Sequence, residues 1–155
     1  MPVDVVLVLG FSTGVICFAY WRGSWPEKSG AATISLNIAI DLIARGLLGE
    51  WNFSSFSFSR FLIDLIEFGL LLYLALSANR IWPIFSAAAQ LVAVAGSLAV
   101  LGTGGGMQVA YWAVTQMPLF VQLVALGLGT YFHIRRRQVL GLYRDWRTMA
   151  PPDRC

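Results

Sequence analysis

Apolar residues gather into five segments separated by short polar breaks: Val3 to Tyr20, Ala31 to Leu48, Phe61 to Ser77, Ile81 to Leu101 and Gln108 to Phe132. Each approaches the roughly 20 residues with which an α-helix crosses a bilayer. The breaks carry turn chemistry, in Gly23-Ser-Trp-Pro-Glu-Lys-Ser-Gly30, the stretch from Trp51 to Arg60, Ser77-Ala-Asn-Arg80 and Gly102-Thr-Gly-Gly-Gly106. The pattern predicts an all-α fold, a multi-pass transmembrane bundle of about five spans. The second segment holds Asn37, Asp41 and Arg45 and is barely long enough; if it is re-entrant, four spans remain. The first segment lacks the positive start and small-residue cleavage site of a secretory signal, so it reads as a retained helix.

Lys and Arg set the expected orientation. Arg22, Lys28, Arg80 and the run from Arg135 to Arg154 collect on one side, against Arg60 and Arg45 on the other. The positive-inside rule then places the C-terminus in the cytoplasm and, with five spans, the N-terminus outside. Aromatic rings fit the same topology, with Tyr20, Trp21, Trp25, Trp82, Tyr131 and Phe132 at inner boundaries and Trp51, Phe53, Tyr111 and Trp112 at outer ones. The expected location is a bacterial inner membrane. Residues 1–137 form the expected bundle and 138–155 an interfacial or flexible cytoplasmic tail, in which Val139, Leu142, Tyr143 and Trp146 recur at helical spacing.

Composition strengthens this picture. Of 155 residues, 57% are hydrophobic and 12% charged, against about a quarter charged in ordinary soluble domains. The net charge of +3 does not point to nucleic acid, because the arginines cluster past the last apolar segment instead of covering a soluble face. Cys17 and Cys155 suggest neither a disulfide framework nor a metal site.

The strongest candidate chemistry lies in the second and third segments. Ser29, Thr33, Asn37, Asp41 and Arg45 recur every four residues and share one helical face, where Asp41 and Arg45 have the favourable order for an intrahelical ion pair. Arg60, Asp64 and Glu67 share a face of the third segment, and antiparallel packing would bring Asp64 and Glu67 beside Asp41 and Arg45. Three acids then face two arginines, which leaves one carboxyl without a full partner and able to relay a proton. Each ionisable residue costs about 2.5–3.5 kcal/mol at mid-membrane on insertion scales, so such residues mark either a helix clamp or a proton, ion or polar-ligand site. Gln90 and Gln116 are amides at membrane depth, suited to interhelical hydrogen bonding.

Small residues mark close contacts: Gly10 and Gly14 in the first segment, Ala89, Ala93 and Ser97 in the fourth, and Ala125 and Gly129 in the fifth. They serve packing within the chain, or a membrane-protein partner or second copy. Pro118 is expected to kink the fifth helix. His133 lies at a depth where a haem or chlorin ligand sits, yet one histidine cannot form a bis-histidine site in a monomer, and an interfacial residue is the plainer reading. Gly102 to Gly106 lacks the lysine and strand of a phosphate loop. No catalytic triad, HExxH or CxxC pattern occurs, so a hydrolase or metalloenzyme has no support and no cofactor is specified.

Two function classes follow. The first is a non-enzymatic membrane protein acting by association, as an accessory subunit or homo-oligomer. The second is a small transporter, channel or proton-linked carrier built on Asn37, Asp41, Arg45, Asp64 and Glu67.

Overall fold

The computed structural model describes residues 3–48, 58–103, 108–140 and 146, with side chains at 7–43, 58–99, 117–139 and 146. Among these residues the chain is helical apart from short corners and one isolated backbone bridge. The helices are α1 (Val3–Arg22), α2 (Trp25–Leu48), α3 (Phe58–Ser77), α4 (Trp82–Thr103) and α5 (Gln108–Leu140). Helix α5 lies against α1, α2 and α4, while α3 joins α2 to α4 and α1 closes on α2.

The expected turn from Gly23 to Gly30 is shorter than its composition suggests. Helix α2 begins at Trp25, where Glu27 supplies one half of a capping box to Ser24. The Ser24 N–H donates to Glu27 Oε2 at 3.1 Å, which satisfies a donor that the helix start leaves over. Pro26 falls in the first turn, where a missing N–H costs nothing. Gly23 N–H donates to Ala19 O at 2.9 Å, so two residues turn the corner.

At the other end α5 runs through Pro118 to Leu140, past the expected junction at 137. Arginines are good helix formers, and Arg135, Arg136 and Arg137 near its C-terminus complement the helix dipole. The Trp146 backbone pairs with Ala78, returning the chain to the α3–α4 corner. The rest of the expected interfacial tail lies outside the described residues.

Among the described residues, two helices contain segments long and apolar enough to cross a membrane, Trp82–Ala99 in α4 and Met117–Val139 in α5, and Leu7–Arg22 of α1 is a shorter apolar stretch. The expected five spans are therefore not confirmed among the described residues. Within the described residues, α3 is interrupted by Arg60, Asp64 and Glu67, and the described part of α2 by Glu27, Lys28 and Asp41. Only 44% and 33% of the two crossing-length segments are buried within the chain. Their neighbours also turn apolar side chains outward, among them Leu65, Ile66, Leu70, Tyr73 and Leu76 of α3. An apolar surface of this extent needs a membrane or a partner against it.

The buried core joins Ala19, Ala31, Ile34, Leu74, Ala78, Trp82, Leu123 and Leu126. Trp82, in the first turn of α4, lies between Gly30 of α2 and Gly129 of α5. A Cβ at either glycine would overlap its ring, so the missing side chains make room for the indole. Ala89, Ala93 and Ser97 are buried within the bundle, which uses that small-residue face internally. Gly10 and Gly14 instead face open space.

Candidate functional site

Helical periodicity stacks Asn37 and Asp41 along α2, and Arg60, Asp64 and Glu67 along α3. The antiparallel pairing of α2 with α3 joins the two rows. Arg60 Nη1 donates to Asp41 Oδ1 at 3.0 Å, and Arg60 Nη2 lies 3.3 Å from Asp64 Oδ1. Asn37 Nδ2 donates to Glu67 Oε2. Asp41 thus meets an arginine of the neighbouring helix, whereas the side chain of Arg45, its expected partner on α2, lies outside the described residues.

The network continues inward. Gln90 Nε2 of α4 lies 3.3 Å from both Asp64 Oδ1 and Asp64 O, and Gln122 Nε2 of α5 donates to Gln90 Oε1 at 2.7 Å. A polar chain of Asp41, Arg60, Asp64, Gln90 and Gln122 therefore crosses four helices. Sequence reasoning singled out Gln90 and, in the last segment, Gln116, whose side chain lies outside the described residues; it passed over Gln122. The signal for Gln122 was the same, an amide within an apolar run.

Depth divides these groups. Asp41 and Arg60 are about a quarter exposed, whereas Asp64 is 2% and Glu67 3% exposed. Asn37 Oδ1 and Glu67 Oε1 are buried with no hydrogen-bond partner among the described residues. A buried polar atom left so is costly. For a carboxyl, a bound proton, a cation or a polar ligand group relieves that cost.

A second buried cluster lies at the opposite end of the bundle. Arg80, in the α3–α4 corner, donates from Nε to Glu27 Oε1 at 3.0 Å and from Nη2 to Ser24 Oγ at 3.2 Å. Arg80 Nη2 is also 2.9 Å from His133 Nδ1. Because a guanidinium only donates, Nδ1 is the accepting nitrogen of His133. Ser24 Oγ donates to Glu27 Oε2 at 2.5 Å. Arg80 and Glu27 side chains are 6% and 0% exposed, and His133 is buried beside them. His133 therefore holds α5 to a buried guanidinium instead of lying loose at an interface. Sequence reasoning counted Arg80 for orientation and placed Glu27 in a loop. The Ser24-Trp-Pro-Glu27 capping pattern was the available signal.

Among the described residues, no three His, Cys, Asp or Glu side chains are placed to hold a metal ion. Of the small residues, Gly129 receives Trp82, and Ala125 packs against the core. No known family, curated protein or solved structure matches the chain.

Proposed function

We propose that this chain is an integral membrane protein of the inner-membrane type that exchanges protons through Glu67, as a small proton-linked carrier. The observation that carries the reading is the Glu67 carboxyl, buried, with Oε2 held by Asn37 and Oε1 without a partner among the described residues. Membrane residence is supported by the two helices of crossing length and by the outward apolar faces. A cytoplasmic C-terminus follows from the basic residues at the Arg80 end.

In this reading Glu67 takes a proton on Oε1 while Asn37 fixes the carboxyl through Oε2. Asp64, one turn earlier on the same face, is the adjoining acid. Arg60 connects it to Asp41, which is partly exposed and forms the link toward solvent. Gln90 and Gln122 hold Asp64 in place from the other side.

The test is reconstitution into liposomes containing a pH-sensitive dye, followed by an imposed pH step. Wild-type protein is expected to speed equilibration, and Glu67→Gln, which preserves size and a bond to Asn37, to abolish the effect. Wild-type vesicles no faster than protein-free ones would reject the carrier. A Glu67→Gln protein with full flux but a lower melting temperature would make the cluster a helix clamp.

A second reading, association as an accessory subunit or homo-oligomer, is favoured by one feature. Gly10 and Gly14 lie on an α1 face where an added Cβ meets nothing within 4 Å, and small residues of this spacing admit close approach of another helix.

A further inference from the structure

Two side chains that bond to each other each keep one buried acceptor without a donor among the described residues. Glu67 Oε1 and Asn37 Oδ1 are both buried in this state, while Glu67 Oε2 and Asn37 Nδ2, the other atoms of the same two groups, form a hydrogen bond. Each unpartnered oxygen is thus one carbon away from an atom of that bond. Glu67 is 3% exposed, and the group that holds it is a neutral amide. The Arg60 guanidinium is taken up by Asp41 and Asp64, at 3.0 and 3.3 Å. An ionised Glu67 is then a buried charge beside a second unpartnered oxygen, an arrangement that is costly until a positive group joins it.

The donor atoms select the class of that group. Carboxylate and amide-carbonyl oxygens are hard ligands that suit hard cations, not copper, iron or zinc. Divalent hard cations demand fuller coordination, and among the described residues no three acidic side chains converge to supply it. Charge points the same way. One monovalent cation neutralises one carboxylate as one proton does, so exchanging the two leaves the charge of the low-dielectric site unchanged. Asp64, one turn before Glu67 on α3, adds negative potential nearby. Asn37 is half-buried and Asp41, one turn further along α2, is about a quarter exposed, so polar side chains lead from the site to the surface.

We infer that Glu67 Oε1 and Asn37 Oδ1 form a binding site for a small alkali cation, the counter-substrate of the proton-linked carrier. The inference rests on the carrier reading and deepens it. One cation enters the site as the Glu67 O–H bond breaks and one proton leaves toward Asp41, so each exchange moves no net charge. Asn37 serves both states, because Nδ2 fixes Oε2 throughout while Oδ1 is a ligand to the cation.

The experiment uses the full chain with sodium as the probe, against potassium and the much larger choline, all as chlorides at one pH and ionic strength. In mild detergent, sodium is expected to raise the melting temperature saturably and choline to leave it unchanged, because a ligand bound only by the folded state stabilises it. Glu67→Gln should remove the rise. In liposomes holding a pH-sensitive dye, an inward sodium gradient is expected to make the lumen alkaline, at a rate that does not change when the membrane potential is collapsed. The same pattern with potassium would assign the site to the larger alkali ion. Equal melting shifts in all three salts, or a sodium shift retained by Glu67→Gln, would overturn the site. An unfolded Glu67→Gln protein leaves the wild-type gradients to decide, and alkalinisation no faster with sodium or potassium than with choline overturns it. Proton equilibration that needs Glu67 but ignores the cation would also overturn the site, with the carrier reading left standing. Saturable sodium binding at Glu67 without any proton flux would instead reject the carrier and reduce the site to a structural ion.

Discussion

The Arg80 guanidinium and the Glu27 carboxylate meet at 3.0 Å with both side chains buried, and the same guanidinium lies 2.9 Å from His133 Nδ1. One side chain in a two-helix corner thereby ties the start of α2 to the far part of α5. Within an apolar bundle such a pair is most costly when half of it is removed, because the survivor keeps its charge and loses its partner.

Arg80→Met should therefore destabilise the protein by about 3–5 kcal/mol, whereas adding Glu27→Leu to it should recover a large part of the loss. Thermal unfolding of the two variants in one detergent checks this. A double variant as unstable as Arg80→Met would mean that packing, not the uncompensated carboxylate, dominates.

The Arg60 bridge should behave asymmetrically. Asp41 is partly exposed and Asp64 buried. Asp41→Asn should cost up to about 1 kcal/mol, as for exposed ion pairs. Arg60→Gln leaves the buried Asp64 carboxyl without its cation and should cost several-fold more, about 3–5 kcal/mol. Equal losses in denaturant titrations would show that Gln90 alone suffices to hold Asp64.

Glycines distinguish packed from open faces. Gly129→Ala places a methyl group into the Trp82 ring and should cost about 1–3 kcal/mol through overpacking. Gly69 on α3 has nothing within 4 Å of an added Cβ, so Gly69→Ala should be neutral or stabilising by up to about 1 kcal/mol from helix propensity. Matching melting temperatures for the two would argue against the indole wedge.

Association through α1 makes a separate prediction. If another helix packs on Gly10 and Gly14, Gly10→Leu with Gly14→Leu should lower the particle mass in mild detergent without changing the melting temperature of the monomer. A wild-type particle that is already monomeric across several detergents removes this reading.

The five helices and the polar row Asn37, Asp41 on α2 facing Asp64, Glu67 on α3 are legible in the sequence alone, because helical periodicity is local and apolar runs between turn residues show it directly. The α2 start is legible as well, in the Ser24-to-Glu27 spacing, once the tryptophan and proline between them are read as a first turn and not as loop. Which partner each charged group takes is another matter. Arg80 reaches Glu27 and His133 across 53 residues in either direction, and Arg60 reaches Asp41 across 19; the Arg45 side chain, which local order pairs with the same acid, lies outside the described residues. Only the packing of α2 against α3 and α5 decides these pairings. Local pattern sets which faces must be buried, but the choice among several buried partners of equal chemistry depends on distances that exist only once the helices are packed.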